Sequence, residues 1–265
     1  MRASEVFRPD LLKDRVVAVT GGGSGIGRAI VLECAALGAK MAIGARKQER
    51  LAETAAELEA GGAACYHAPL DIRDEDSVAA WVDGVHAHYG RIDVLVNNAG
   101  GQFPSNALDI RPKGWRAVID TNLNGTWFMT QAAARHMVRD GGGRIISIVA
   151  NMWRGFPGMA HTGAARAAVD NLTKTLALEW AKHGILVNAV APGVIQSTGL
   201  DTYPEEVRTA VISQMHTCIP LKRLGRVEDV AWAVVYLAGP GGDFVTGETF
   251  CVDGGQAHWG TPFPI

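Results

Sequence analysis

Short apolar runs alternate with longer segments of helical periodicity from one end of the chain to the other. Seven of the runs predict β-strands, at 15–20, 40–45, 64–70, 92–97, 144–149, 185–190 and 248–253. Six segments predict helices, near 25–37, 47–60, 75–89, 113–138, 160–182 and 226–238. Strands this apolar are buried on both faces, so the pattern predicts an α/β fold with a parallel sheet between two layers of helices. Right-handed crossovers make this a doubly wound sheet.

One segment, 193–225, interrupts the alternation directly after a predicted strand. Its sequence, GVIQSTGLDTYPEEVRTAVISQMHTCIPLKRLG, is interpreted as irregular structure. Insertions at the carboxyl end of a strand are where a substrate-covering segment belongs in open α/β sheets. No internal repeat or linker divides the chain. We therefore predict a single domain over residues 1–265 with a substrate-covering insertion at about 193–225.

The composition fits one compact domain, since 48% of the 265 residues are hydrophobic and 20% are charged. A formal net charge of −2 gives no electrostatic reason to bind nucleic acid or an anionic membrane, so neither is predicted as a partner. The four cysteines are scattered without metal-ligand spacing, which predicts reduced thiols and no metal site. The sequence shows no apolar run of membrane-spanning length, no signal peptide and no peroxisomal address. These features predict a cytoplasmic protein.

The sequence TGGGSGIG follows the first predicted strand and opens the first predicted helix. In that context a glycine-rich turn predicts a dinucleotide-binding site in preference to a merely flexible loop. Gly21 permits the tight turn, Gly25 lets the backbone approach a pyrophosphate, and Gly27 allows close packing of the helix. The helix N-terminus then stabilises phosphate charge. The predicted contacts of this turn are Thr20, Gly21, Gly23, Ser24, Gly25, Ile26 and Gly27.

The end of the second predicted strand bears on the choice of cofactor. An NAD-binding fold usually has an acid there to hold the ribose hydroxyls, but this chain has Ala45 followed by Arg46 and Lys47. Without a carboxylate to repel it, a 2′-phosphate is favoured by the two cations. We predict that NADP(H) is preferred over NAD(H), with Arg46 as the main phosphate partner. The alternative is that both cations are solvated charges at the start of a helix.

Four motifs occur in an order typical of one family: TGGGSGIG, NNAG at 97–100, TNLNG at 121–125 and APG at 191–193. With these motifs the chain resembles the short-chain dehydrogenase/reductases from about Asp14 to Gln256. The resemblance implies one Rossmann-like domain with seven parallel strands in the order 3-2-1-4-5-6-7. It also implies a homo-oligomer, expected here as a homotetramer, in which the helices near 113–138 and 160–182 pack against their symmetry mates.

The helix near 160–182 can support such packing, because a helix buried on two sides needs two suitable faces. One face is an apolar stripe made up of Ala165, Val169, Leu172, Leu176 and Trp180. The other is a face of small residues, made up of Ala160, Ala164 and Ala168.

The resemblance further implies where the cofactor lies. It places Asp71 and Ile72 by the adenine. It places Asn98, Ala99 and Gly100 by the adenine ribose. Along the nicotinamide it places the loop that contains Pro192, Gly193 and Ile195.

A narrower likeness rests on NNAGGQF (97–103), KGW (113–115), GFP (155–157) and HTGAARA (161–167). These segments are similar to those of peroxisomal trans-2-enoyl-CoA reductases and, less closely, 2,4-dienoyl-CoA reductases. Such enzymes use NADPH to reduce a carbon–carbon double bond conjugated to a thioester. The likeness therefore implies an acyl thioester as the small-molecule substrate.

Ketone chemistry in the family uses an Asn-Ser-Tyr-Lys set, and three of these four positions are changed. Asn122 is present, but the serine position falls at Val149 or Ala150, the tyrosine position is Thr162 and the lysine position is Arg166. A threonine hydroxyl is a very weak acid that can still donate a hydrogen bond. Arginine stays charged and its fork can hold ribose hydroxyls. We predict Asn122, Thr162 and Arg166 as the catalytic residues, with Arg166 also binding the cofactor.

Conjugate reduction requires donors for an enolate oxygen and a proton for the α-carbon. Thr162, Asn122 and Asn151 are candidate donors, and His161 or Tyr203 is a candidate source of the proton. Each of Asn151, His161 and Tyr203 also has an ordinary structural interpretation, as a loop residue, a satisfied helix-start histidine and a packing contact. Lys174 follows Asp170 by four residues, which predicts a surface ion pair.

These observations favour an NADPH-dependent reductase of enoyl thioesters. A ketone or alcohol oxidoreductase with an atypical site and a catalytically weak NADP-binding scaffold remain as alternatives. A cofactor-independent lyase or dehalogenase ranks last, because members of that kind lose the glycine-rich turn and keep the tyrosine, the reverse of this sequence.

Overall fold

The computed structural model describes residues 4–198 and 205–258. Its strands are β1 (Val16–Thr20), β2 (Lys40–Ala45), β3 (Cys65–Pro69), β4 (Val94–Asn97), β5 (Gly143–Ile148), β6 (Ile185–Pro192), β7 (Ile195–Gln196), β8 (Gly225–Arg226) and β9 (Thr249–Val252). Its α-helices are α1 (Gly25–Ala36), α2 (Gln48–Ala60), α3 (Glu75–Tyr89), α4 (Pro112–Ile119), α5 (Gly125–Asp140), α6 (Ala160–Trp180), α7 (Glu205–Cys218) and α8 (Val227–Ala238). Across the two described ranges, no helix has both the length and the apolar character needed to cross a membrane.

Seven strands form one parallel sheet in the order β3-β2-β1-β4-β5-β6-β9. Because β9 is the seventh strand of this sheet, the predicted order and the doubly wound α/β fold are confirmed. Every residue of β1 is buried, and its alternate side chains enter opposite cores. Val17 and Val19 pack with α1, α2 and α8, whereas Val16 and Ala18 pack on the side of α3, α5 and α6. Burial on both faces explains why the strands are continuously apolar.

The parallel arrangement brings several loops together at one edge of the sheet. The carboxyl ends of β1, β2, β4, β5 and β6 all lie there, because these strands run in the same direction. In open α/β sheets this edge is where ligands bind. The glycine-rich turn, the NNAG loop and the segment after APG therefore meet at one place.

The prediction of a single helix at 113–138 is wrong in detail, because a π-helical turn divides this segment into α4 and α5. This turn spans Asp120–Asn124. Side chains at and near it bond to backbone carbonyls one turn earlier: Thr121 Oγ1 donates to Ala117 O (2.8 Å), and Asn122 Nδ2 donates to Val118 O (2.9 Å). Such side-chain bonds compete with the regular helical ladder. Single π-turns inside helices are frequently found at functional sites.

The segment 193–225 was predicted as irregular, and this prediction is wrong for much of its length. It contains helix α7 and the short parallel pair β7–β8, in which Ile195 is paired with Gly225. Glu205 and Glu206 in the first turn of α7 are a start signal that the sequence offered, since acidic side chains stabilise a helix N-terminus. That the segment covers a substrate stays a prediction. Residues 199–204, which include Tyr203, lie outside the described residues.

Candidate active site

The turn between β1 and α1 has the backbone that its glycines predict. Gly21 (φ 71°) and Gly25 (φ 53°) adopt left-handed conformations that other residues rarely take. Ser24 is the N-cap of α1, and its hydroxyl makes no capping hydrogen bond. The first turn of α1 contains no acidic residue. Its backbone amides and dipole therefore favour an anion.

Hydrogen bonds join this turn to the loop after β4, because β1 and β4 are neighbours in the sheet. Thr20 Oγ1 accepts from the backbone N–H groups of Asn98 (3.0 Å) and Ala99 (2.9 Å). In return, Asn98 Nδ2 donates to the carbonyl oxygen of Thr20 (2.9 Å). The side chains of Thr20 and Asn98 are thus engaged inside the protein, where they fix the two loops against each other.

A groove of about 1160 Å³ opens beside the turn, between α1 and the loop that precedes α8. Ser24 and Thr198 are among the residues that line it. Its charged lining is mostly cationic and consists of Arg28, Arg50, Arg208, Lys222 and Arg223, with Glu53 and Glu228 as the acids. Arg28 is paired with Glu57 and Arg223 with Asp229, and the cationic character that the other lining residues add suits phosphate groups.

At the end of β2, Arg46 is exposed and makes no hydrogen bond or ion pair with the described part of the chain. Asp71, after β3, is bonded by Arg73, which donates from Nε to Oδ1 (2.9 Å) and from Nη2 to Oδ2 (2.5 Å). These bonds lower the pKa of Asp71 to about 2, and Arg46 adds a smaller electrostatic effect. The next residue, Ile72, is buried. The guanidinium of Arg46 is therefore free to meet an anion, whereas the Asp71 carboxylate already has a partner.

The segment after β6 closes the opposite side of the turn. Gly193 N donates to Val252 O (3.0 Å), and Ile195 is buried. Thr198 lies close to the glycine-rich turn, because a Cβ placed on Gly25 would be 3.1 Å from Thr198 Oγ1. Ser197 and Thr198 are not among the site residues that the sequence motifs predict. Two hydroxyl side chains shortly after the APG motif were the feature that could have indicated them.

Helix α6 brings Thr162 and Arg166 to one face, one turn apart, and both are nearly inaccessible (0% and 8% exposed). A Cβ placed on Gly100 would lie 2.5 Å from Arg166 Nη2 and 2.9 Å from Asn122 Oδ1. The structure therefore brings Arg166, Asn122 and the loop after β4 together, as the resemblance implies. The serine position carries no hydroxyl, since it falls at Val149 or Ala150.

The guanidinium of Arg166 makes no hydrogen bond with any residue of 4–198 or 205–258. Burial lowers its pKa to about 10, so the group is charged at neutral pH. A buried cation with unsatisfied donors is costly unless a ligand supplies acceptors. The vicinal hydroxyls of a ribose are acceptors of the right kind, so this residue fits the sugar of a dinucleotide.

The amide of Asn122 is already satisfied within the protein. Its Nδ2 donates to the carbonyl oxygens of Gly101 (2.6 Å) and Val118 (2.9 Å), and its Oδ1 accepts from Gly101 N (3.3 Å). Both amide hydrogens are therefore used. In this arrangement Asn122 holds the loop after β4 in place and has no hydrogen left for a substrate oxygen.

Thr162 is adjacent to His161, which is also fully buried. The backbone N–H of Thr162 is shared between His161 Nδ1 (2.8 Å) and Met159 O (3.0 Å), and the same Nδ1 lies 3.3 Å from Thr162 Oγ1. An unprotonated imidazole nitrogen has one lone pair, and the shorter bond uses it. The hydroxyl proton of Thr162 therefore stays available to an acceptor in the site.

The remaining candidates are engaged elsewhere. Asn151 Nδ2 donates to Asp253 Oδ2 (2.9 Å), which links the loops after β5 and β9. Lys174 forms an ion pair with Asp170, as predicted; the Lys174 side chain is half exposed, whereas Asp170 is buried. Among the residues described, no three His, Cys, Asp or Glu side chains form a group that could hold a metal ion.

Comparison with known proteins assigns the class of this protein. Residues 21–257 match the sequence model of a family described as enoyl-(acyl carrier protein) reductase. Together with the sheet order and the glycine-rich turn, this match shows that the chain belongs to the short-chain dehydrogenase/reductase family and is an oxidoreductase. The predicted family is confirmed.

Individual relatives are similar over nearly their whole length. A probable 2,4-dienoyl-CoA reductase of Bacillus subtilis is 37% identical, over 96% of this chain and 100% of the relative. A 3-oxoacyl-[acyl-carrier-protein] reductase of Thermotoga maritima is 36% identical, over 92% of this chain and 98% of the relative. Among solved structures, a citronellol catabolism dehydrogenase of Pseudomonas aeruginosa PAO1 has a TM-score of 0.85 and 41% identity, covering 96% of this chain and 99% of that one.

Proposed function

We propose that the protein is an NADPH-dependent reductase of the conjugated double bond in an enoyl or dienoyl thioester. The observation that carries this proposal is the buried pair Thr162 and Arg166, at the positions of the tyrosine and lysine used in ketone reduction. Neither is a suitable acid for a ketone oxygen, because an alcohol is far less acidic than a phenol and a guanidinium keeps its protons. The relative in Bacillus subtilis, named as a dienoyl-CoA reductase, supports the same reaction class.

The residues present fit a nicotinamide dinucleotide with a 2′-phosphate. The turn at Gly21–Gly27 would bind the pyrophosphate at the start of α1, and Arg166 would hold the ribose hydroxyls. Arg46 would bind the 2′-phosphate, since Ala45 leaves no carboxylate to repel it. When bound, NADPH supplies the hydride. A charge-assisted hydrogen bond is worth about 1.5–3 kcal/mol, so one contact between Arg46 and the 2′-phosphate would be enough to favour NADPH over NADH.

Reduction at the β-carbon moves negative charge to the thioester oxygen. A donor positioned at that oxygen lowers the barrier. We assign this role to the Thr162 hydroxyl, because the lone pair of His161 Nδ1 is occupied by a backbone N–H and leaves the hydroxyl proton free. The α-carbon then takes a proton from water. Asn122 acts as a positioning residue through its bonds to Gly101 and Val118.

A second candidate is reduction of a 3-ketoacyl thioester. It is favoured by the relative in Thermotoga maritima, whose name gives that activity. It would require a proton donor to the ketone oxygen, and the site offers a threonine in that place. We rank it second for this reason.

A substrate panel tests the proposal. The purified protein is mixed with NADPH and with a trans-2-enoyl-CoA, a 2,4-dienoyl-CoA or a 3-ketoacyl-CoA of equal chain length, and the absorbance of NADPH is followed. We expect turnover with an unsaturated thioester and much slower turnover with the ketone. Turnover with the 3-ketoacyl-CoA alone would overturn the proposal. Tight NADPH binding without turnover on any member would instead indicate a cofactor-binding scaffold.

A further inference from the structure

His161 has one satisfied ring nitrogen and one that is not. Nδ1 accepts a hydrogen bond from the backbone N–H of Thr162 at 2.8 Å. Nε2 is buried and has no hydrogen-bond partner in the part of the chain that the structure describes. A buried polar atom without a partner destabilises the folded protein. Most buried polar atoms are satisfied, so an exception beside a catalytic position indicates a functional reason.

The hydrogen bond at Nδ1 assigns the proton of the neutral ring to Nε2. Because Nδ1 accepts from a backbone N–H, it carries no hydrogen itself. Burial lowers the pKa of His161 by more than the nearby backbone of Met159 raises it, which favours the neutral imidazole. The unpartnered atom is therefore a hydrogen-bond donor, and the first turn of α6 holds it beside Thr162.

One partly exposed side chain packs against the ring that carries this donor. The ring of Phe103 packs against the imidazole, with centroids 4.5 Å apart and planes at 73°. Phe103 is 38% exposed. It also lies over Gly114 of α4, where a Cβ would come within 2.8 Å of Phe103 Cζ. A half-exposed side chain changes rotamer quickly, so Phe103 can turn away without movement of the core.

We propose that Nε2–H of His161 is a second hydrogen-bond donor to the thioester oxygen and replaces the phenol that this chain lacks, with Phe103 covering it until the substrate is bound. The proposal rests on the proposed function. With Thr162 it forms a two-donor site for the developing negative charge. A neutral imidazole is suited to this role, because it polarises an oxygen without giving up its proton.

The electrons and protons balance in this scheme. Hydride forms a C–H bond at the β-carbon, and the π electrons of the double bond move through the α-carbon to the thioester oxygen. His161 and Thr162 donate hydrogen bonds to this oxygen and keep their hydrogens. When the electrons return, the α-carbon forms a bond to a proton from water. His161 therefore begins and ends each cycle in the same form.

Two substitutions separate this role from simple support of the helix. In His161→Asn, the Oδ1 atom can still accept from Thr162 N–H, but no atom occupies the place of Nε2. In His161→Gln, an N–H group is restored near that place. We expect His161→Asn to lower kcat for the enoyl-CoA by about a hundredfold with little change in the KM for NADPH, and His161→Gln to recover part of the loss. His67→Asn, at an exposed histidine, is the matched control and should leave kcat unchanged.

The outcomes distinguish failure of the proposed function from failure of the proposed role of His161. A wild-type protein that turns over no unsaturated thioester contradicts the proposed function itself. A wild-type protein that is active together with a folded His161→Asn variant of equal kcat overturns the role of His161. The same conclusion follows if His161→Asn is more active than His161→Gln, because support of Thr162 N–H would then be what matters.

A chemical measurement does not depend on the folding of any His161 variant. The C2 hydrogen of a histidine ring exchanges with D₂O at a rate that falls when the ring is shielded from solvent, and mass spectrometry of peptides measures this rate. We expect exchange at His161 to be slow in the wild type and faster in Phe103→Ala, and a saturated acyl-CoA plus NADP⁺ should slow it again in that variant. Exposed His67 should exchange at the same rate in every sample. An exchange rate of His161 that is unchanged in Phe103→Ala, or that does not respond to acyl-CoA there, would overturn the proposal.

Discussion

Thr162 is a fully buried hydroxyl at the position where the family's ketone reductases have a phenol. The adjacent Nδ1 of His161 makes its shorter hydrogen bond to a backbone N–H, so the geometry leaves the hydroxyl as a donor. This combination is poorly suited to acid catalysis and well suited to stabilising an oxyanion. The residue therefore decides which carbonyl chemistry the site can support.

Removal of the Thr162 hydroxyl should affect the chemical step and spare the cofactor. We expect Thr162→Val to lower kcat for the enoyl-CoA by about a hundredfold, because loss of one oxyanion donor typically has that effect. Thr162→Ser keeps the hydroxyl and should retain most of the activity. Stopped-flow kinetics and NADPH fluorescence titration measure the two quantities. A Thr162→Val enzyme with the wild-type rate would remove Thr162 from the mechanism.

Arg46 should determine the preference between cofactors. Replacement by alanine removes a cation that makes no ion pair in the described part of the protein, so folding should be unaffected. We expect Arg46→Ala to raise the KM for NADPH by about tenfold or more, the range of one charge-assisted hydrogen bond. The KM for NADH serves as the internal control and should hardly change. A wild-type enzyme with a lower KM for NADH would contradict the predicted role.

Among the elements, the π-helical turn at Asp120–Asn124 has the clearest structural task. It places the Asn122 amide where it can bond both to Gly101 in the loop after β4 and to Val118 in α4. Arg166 from α6 lies next to the same loop at Gly100. Three elements are thus held together around the place where the cofactor is proposed to bind.

Loss of the Asn122 amide should weaken both the fold and the cofactor site. We expect Asn122→Ala to lower the free energy of unfolding by about 2 kcal/mol, because the carbonyls of Gly101 and Val118 lose a partner. NADPH affinity should fall with it. Asn124→Ala is the matched control in the same turn, since its amide bonds to the Asp120 side chain instead. Denaturant unfolding compares the two, and equal losses would contradict the account.

The elements that the sequence predicts well are those set by burial. The continuously apolar run VVAVT indicates a strand with two buried faces, and β1 at the centre of the sheet is that strand. The π-turn could not be predicted from the spacing of apolar residues. It depends on side-chain hydrogen bonds that compete with the backbone hydrogen bonds of the helix. The missing partner of His161 Nε2 depends on how Phe103 packs, which is a property of the folded chain.

On the scale of the whole molecule, α6 carries its two predicted faces. Ala165, Val169 and Leu176 are buried against the sheet. Ala160 and Ala164 are exposed in the single chain, and so is Leu178 (83%). A helix with small residues on an outer face can be approached closely by a second copy. The homotetramer stays a prediction that this face supports, and the cytoplasmic location stays a prediction from sequence.

Light scattering should give a particle with four times the mass of the 28.1 kDa chain. We expect Ala164→Glu to shift it to a smaller species, because a charged side chain would be buried without a partner between two α6 helices. Ala52→Glu, on the exposed face of α2, is the matched control and should leave the mass unchanged. A wild-type monomer would contradict the predicted assembly.

The proposed function concerns which carbon receives the hydride, and isotope labelling measures this directly. The protein is supplied with NADPH carrying deuterium at the transferred position and with a trans-2-enoyl-CoA, and the product is analysed by NMR and mass spectrometry. We predict a saturated acyl-CoA with one deuterium at the β-carbon and, in D₂O with unlabelled NADPH, one deuterium at the α-carbon. Deuterium transferred to the oxygen-bearing carbon of a 3-ketoacyl-CoA, with no reduction of the double bond in the enoyl substrate, would contradict the account.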